Sequence, residues 1–207
     1  MRRAADAFAV VTAAIAAVAF ACAPARAAGI TGGATVATLR GDDVEVDLDL
    51  DSSRNGYSAG LYFSARAPNF EFRPEILFVQ MGTGDETLLP AIGAGPLEFE
   101  FDYIQVPFLF KMTSATDKQP GVGLFFGPYF AFNLEAEVTS DPGGVPVTTD
   151  IKDLVRDTDV GAIVGLSIDA EYWSLDVRYT YGFEKIFEDN TLDVRNEALS
   201  VMLGISF

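Results

Sequence analysis

The chain has 207 residues, room for one medium domain, and its 14 Lys and Arg against 30 Asp and Glu give a formal charge of −16 with no histidine. Such acidity argues against nucleic acid as a partner, because nucleic acid selects basic surfaces. The missing His removes the usual general base of acyl-transfer and protease chemistry, so any catalysis would have to run on carboxylates alone.

Arg2 and Arg3 precede an apolar run from Ala7 to Ala21, followed by Pro24 and Ala25-Arg26-Ala27. A basic region, an apolar region and a small-residue box are the parts of a secretory leader, so residues 1–27 are expected to be removed and 28–207 to form the mature domain. Cys22 lies inside that leader and is the single cysteine, so the mature chain is expected to have no disulfide. The leader carries a net +2, which makes the mature chain −18. Beyond it no stretch approaches the ~18 apolar residues of a membrane helix. If the chain crosses a membrane, a closed barrel is the one remaining way to satisfy its backbone in lipid.

Eight segments alternate with a period of two and are bounded by turn residues. The first, Gly29 to Leu39, is the weakest: Ile30, Ala34 and Val36 alternate with Thr and Gly. In the second, Tyr57, Ala59, Leu61, Phe63 and Ala65 oppose Ser58, Gly60, Tyr62, Ser64 and Arg66. The third, Phe70 to Met81, sets Phe72, Ile76 and Phe78 against Glu71, Arg73 and Glu75. The fourth, Phe99 to Met112, sets Ile104, Val106, Phe108, Phe110 and Met112 against Tyr103, Gln105 and Lys111. The fifth runs from Val122 to Val138 and the sixth from Asp159 to Asp169, with glycine-rich inner positions. The seventh, Tyr172 to Phe183, opposes Trp173, Leu175, Val177, Tyr179, Tyr181 and Phe183 to Ser174, Asp176, Arg178 and Thr180. The eighth, Asn196 to Phe207, puts Leu199, Val201, Leu203, Ile205 and Phe207 on one face.

Short links alternate with longer ones along the chain, the pattern of an outer-membrane barrel with tight periplasmic turns and long extracellular loops. The smaller face holds too few charges to meet water. The expected fold is therefore all-β: an eight-stranded antiparallel up-and-down transmembrane β-barrel with its Phe, Leu and Val face toward lipid. Arg66, Arg73, Lys111 and Arg178 are then expected to pair in the lumen with Glu71, Glu75, Asp169, Asp176 and Glu197, since buried charges must be paired. Phe63, Phe70, Phe110, Trp173 and Phe207 would form one aromatic girdle, and Phe78, Phe101, Tyr181 and Phe183 the other.

Phe72-Arg-Pro-Glu-Ile-Leu-Phe78, Tyr103-Ile-Gln-Val-Pro-Phe-Leu-Phe-Lys111, Gly127-Pro-Tyr129 and Arg178-Tyr-Thr-Tyr-Gly182 occur in order. With Gly29-Ile-Thr-Gly-Gly33 they resemble the PorT-like outer-membrane β-barrel family over nearly all of the mature chain, the Tyr103–Lys111 strand being the most specific segment. The resemblance implies an outer-membrane location and no single activity.

Asp43, Glu45, Asp47, Asp49 and Asp51 share one face of the first long link, a weak candidate for divalent metal. Ser52 stands where an EF-hand needs Gly, and Ser58 where it needs Glu, so a solvated acidic face is the better reading. No cofactor is expected. The leading functional reading is a non-enzymatic envelope or surface protein. A narrow cation-preferring channel and a periplasmic soluble barrel holding an apolar ligand are the alternatives. Expected partners are outer-membrane lipid with lipopolysaccharide, and the barrel-assembly machinery, whose terminal aromatic signal Phe207 resembles; a monomer is expected.

Overall fold

The computed structural model of the protein describes residues 27–40, 54–85, 97–116, 119–140, 146–186 and 195–207. The leader up to residue 26 and the acidic run Asp43–Asp51 lie outside the described residues. The strands are β1 (Ala27–Arg40), β2 (Arg54–Ala67), β3 (Phe70–Asp85), β4 (Leu97–Thr113), β5 (Gly121–Ser140), β6 (Val147–Asp150), β7 (Thr158–Asp169), β8 (Trp173–Gly182) and β9 (Arg195–Ser206). They are hydrogen-bonded in the order β4-β3-β2-β1-β9-β8-β7-β5, and β4 also pairs with β5, so eight strands close on themselves. Every pairing is antiparallel. Closure leaves no unpaired edge, which is the condition for crossing a bilayer with strands.

The apolar face is outside. Leu61, Val122, Phe126 and Leu166 are 51%, 68%, 54% and 62% exposed. Arg73, Lys111, Asp169 and Asp176 are each 1% exposed. The soluble alternative, an apolar interior for an apolar ligand, is overturned by this inversion, because the expected ligand site is occupied by charges.

Tight turns join one end of the barrel. Ala67 pairs with Phe70 around Pro68-Asn69, and Ala170 donates its N–H to the Trp173 carbonyl at 2.8 Å. Pro68 fixes its own φ and needs no ladder donor, while Asn69 tolerates turn geometry, so these two residues specify the bend.

Three details depart from the expected strands. The long link after β5 contains β6, four exposed residues paired with Glu137–Ser140. The pairing register of β4 and β5 shifts between Asp102 and Tyr103, which oppose Glu135 and Asn133, so Leu134 is the extra residue of a bulge. As a result Leu134 and Glu135 are both exposed and Ala136 turns inward. Phe101, expected on a lipid-facing girdle, is instead fully buried in the lumen, because it shares its parity with Tyr103 and Gln105.

Pro74, Pro107 and Pro128 lie on three adjacent strands, where the register runs 62↔75 then 65↔72, 74↔108 then 77↔105, and 107↔129 then 110↔126. Each proline removes a ladder donor. The interrupted steps adjoin across the wall, which confines the loss to a single seam instead of scattering it over the barrel.

Candidate functional site

The lumen is stacked in layers, and the first is ionic. Inward positions on β2, β3, β4, β7 and β8 bring together Arg66, Glu71, Arg73, Glu75, Lys111, Asp169, Asp176 and Arg178, four cations and four anions. Arg178 grips Glu75 with both guanidinium nitrogens, at 2.5 and 3.0 Å, and donates to Asp176 at 2.7 Å. Arg73 lies 2.8 Å from Glu75 and 3.3 Å from Asp176. Lys111 donates to Asp169 at 2.7 Å and reaches Asp176 at 3.7 Å. Thr113 and Ser167 each donate to Asp169 at 2.9 Å, so that carboxylate has three donors. Arg66 and Ser64 share Glu71 at 3.1 and 2.8 Å. Forked guanidinium–carboxylate contacts are the geometry that offsets desolvation of buried ions.

Aromatic rings back this layer. The Arg73 guanidinium sits 4.0 Å from the Tyr62 ring centroid, and Phe125 has Lys111 at 5.6 Å and Arg178 at 5.7 Å. Phe125 fits because its neighbour on β7 is Gly165: a Cβ there would collide with the ring. On the turn side the layer floors a vestibule of about 660 Å³ bounded by Tyr62, Arg66, Glu71, Lys111, Asp169 and Trp173.

A second polar layer lies toward the other end. Asp159 accepts from Tyr129 at 3.0 Å and from Asn196 at 3.1 Å, and Asn196 also donates to Tyr103 at 3.2 Å. Lys152 donates to Asn133 at 2.7 Å. Sequence reading did not select these residues. Their inward parity was available as a signal, but a lone Asp among Tyr and Asn offers no charge partner to look for. Above them Met81, Phe101, Ala136, Val155 and Ile186 pack as an apolar layer.

Glu197 is corrected. Alternation on β9 puts Asn196, Ala198, Ser200 and Met202 inside, so Glu197 shares the outward parity of Leu199 and is 9% exposed beside Thr38 and Tyr181. Phe207 is 78% exposed, and its N–H donates to the Ala28 carbonyl at 2.9 Å.

The rim carries an acidic ladder. Asp102 opposes Glu135, Glu100 opposes Glu137, and Glu137 also opposes Asp150. Partial desolvation, then the carboxylates of Glu135, Glu100, Asp150 and Asp102, raise the Glu137 carboxyl above its ordinary range. Among the described residues no three His, Cys, Asp or Glu converge as a metal-holding group.

A family model described as outer membrane protein beta-barrel domain matches residues 24–188. A search of curated protein sequences found no match. Among solved structures, the chain is similar to Ail, the attachment invasion locus protein of Yersinia pestis, with TM-score 0.50 and 15% identity over 87% of this chain and 98% of that one. It is similar also to Neisserial surface protein A, with TM-score 0.51 and 17% identity over 87% and 97%. Eight closed strands, an apolar exterior and the family match together make the chain a member of the outer membrane protein β-barrel domain family, located in the outer membrane.

Proposed function

We propose that this barrel is a non-enzymatic, non-conducting protein with an envelope-structural or surface-interaction role. The observation that carries the reading is the ionic floor: Arg73, Glu75, Asp176 and Arg178 meet in the lumen and none is more than 2% exposed. An ion entering there would have to break buried pairs, and leaving a buried charge uncompensated costs about 3–5 kcal/mol. The cation-preferring channel fits less well, because the acids of that floor are matched by guanidinium and ammonium groups instead of forming an open ring. Catalysis has little support in a lumen whose carboxylates Glu71 and Glu75 are both held by arginine.

The same proposal takes 28–207 as the mature, monomeric unit, and lipopolysaccharide and the assembly machinery as its surroundings. The Tyr103–Lys111 strand supports the narrower PorT-like placement within the family. The test is a planar-bilayer recording on purified barrel whose folding is checked by heat-modifiable gel migration. Silence is expected across the voltage range, and discrete, cation-selective steps would overturn the reading in favour of the channel.

A further inference from the structure

The vestibule on the turn side has the size of a ligand site and more donors than acceptors. Its volume of about 660 Å³ falls within the roughly 300–1,000 Å³ of small-molecule pockets. On one wall three cations surround a single acid. Glu71 has Arg66 as its Cα partner on β2 and Lys111 as its Cα partner on β4, and Arg73 is the next inward residue of β3.

The two buried acids that line this space are already engaged. Glu71 takes Ser64 on one oxygen and Arg66 on the other. Asp169 takes Lys111 on one oxygen, and Thr113 and Ser167 on the other. Glu171, on the exposed turn, accepts from the Tyr172 hydroxyl. The donors are not so matched. Arg66 Nε and Arg73 Nη2 are buried and have no hydrogen-bond partner among the described residues, and Arg73 as a whole is 1% exposed. A buried donor without an acceptor is a net cost to the fold and marks a place where an acceptor belongs. Space is kept beside it: a Cβ at Gly204 on β9 would stand 3.3 Å from Arg73 Nη2 and 2.7 Å from Ser174 Oγ.

We infer that the vestibule binds a small monocarboxylate with a short apolar body, entering from the side of the tight turns. The planar fork of a guanidinium group matches the two oxygens of a carboxylate. Arg66, whose side chain is 30% exposed, meets the ligand at the mouth. Arg73 lies deeper, with the Tyr62 ring over it at 4.0 Å and the Tyr62 hydroxyl tied to Ser206 at 2.7 Å. The carboxylate takes the place of that ring as the partner of Arg73. Ala67, Pro68 and Ala115 line the same space and meet the apolar body. Charge sets the preference for a monoanion: Glu75 and Asp176 stand next to Arg73, so a dianion such as phosphate meets stronger repulsion. The inference rests on the proposed function only in taking the ionic floor as closed, so that the bound acid stays on the turn side.

The probes are N-acetylleucine and its uncharged amide, titrated against the purified full-length barrel in zwitterionic nanodiscs and followed by saturation-transfer NMR. The wild type should bind the acid about ten-fold more tightly than the amide, because the two differ only in the group that meets the guanidinium donors. Arg66→Gln and Arg73→Gln should each lose about ten-fold in affinity for the acid and leave the amide unchanged. Glu137→Gln, at the opposite rim, should bind the acid as the wild type does. Heat-modifiable migration checks folding, and if Arg73→Gln does not fold, Arg66→Gln carries the test, because its side chain lies partly in solvent. Equal affinity for acid and amide, unchanged affinity in folded Arg66→Gln, or inorganic phosphate competing as well as the acid would overturn the site. Conductance across a bilayer would overturn the closed floor and leave these affinities in place, so the two readings fail separately.

Discussion

At the scale of single residues, Glu75 is the hinge of the lumen. It is paired with both Arg73 and Arg178, which lie on two different strands. Removing it leaves two guanidinium groups short of an anion in a closed space, and breaking a buried pair in this way costs about 3–5 kcal/mol. Glu75→Ala should therefore lower the unfolding free energy of the barrel in lipid vesicles, read from urea titration, by that order. Adding Arg178→Ala should restore part of the loss, because the second substitution removes one orphaned charge, with coupling of about 0.5–3 kcal/mol. Strict additivity in the double variant would count against the pairing. The parity of these residues could be read from sequence, since an alternation of two leaves no choice about which face Arg73 and Glu75 share. Their partners could not be read, because Glu75 and Arg178 meet across 103 positions. Glu197 shows the converse limit: a charge counted toward the lumen stands on the outward parity that it shares with Leu199.

At the scale of elements, the barrel strands were legible because each is long enough for its outward run to stand out. β6 was not, because Val147-Thr-Thr-Asp150 is four residues, exposed throughout, and takes its pairing from the far end of β5. The bulge at Leu134 was hidden for a related reason: a one-residue insertion changes which side Ala136 faces without changing composition. The seam of prolines needs the register of four strands at once. β1, the weakest strand in the sequence, is strong in the fold because it pairs along its length with both β2 and β9. Its small residues have a purpose at the closure. A Cβ at Gly33 would press on the Val201 carbonyl and come 2.7 Å from Met202 Cα, so the backbones of β1 and β9 approach more closely there than a side chain allows. Gly33→Val should hinder closure and reduce the heat-modifiable, folded fraction severalfold, whereas Gly32→Val, where the nearest atom would lie 3.4 Å away, should fold nearly as the wild type does. Equal folding of the two variants would show that the β1–β9 contact tolerates side chains.

At the scale of the whole molecule, the inversion of apolar and polar faces makes assembly a separate problem from stability. The lumen is held by ion pairs and hydrogen bonds, and the exterior by lipid, so a lipid-facing terminal ring adds little to either. Phe207 is 78% exposed and is tied to the barrel through its backbone N–H alone among the hydrogen bonds described. Deleting it should therefore leave the unfolding free energy of refolded barrel in vesicles, read from urea titration, within about 0.5 kcal/mol of the wild type, the usual range for a surface change. Delivery in cells should respond differently if the terminal aromatic is what the assembly machinery reads. Deletion of Phe207, or Phe207→Asp, should lower the amount of folded barrel in outer-membrane fractions, with unfolded chain accumulating in the periplasm, while Phe207→Tyr should restore it. Normal outer-membrane levels of the deletion and the Asp variant would refute the signal. A large loss of stability in vesicles would instead make Phe207 a structural part of the β1–β9 closure, where its N–H meets Ala28.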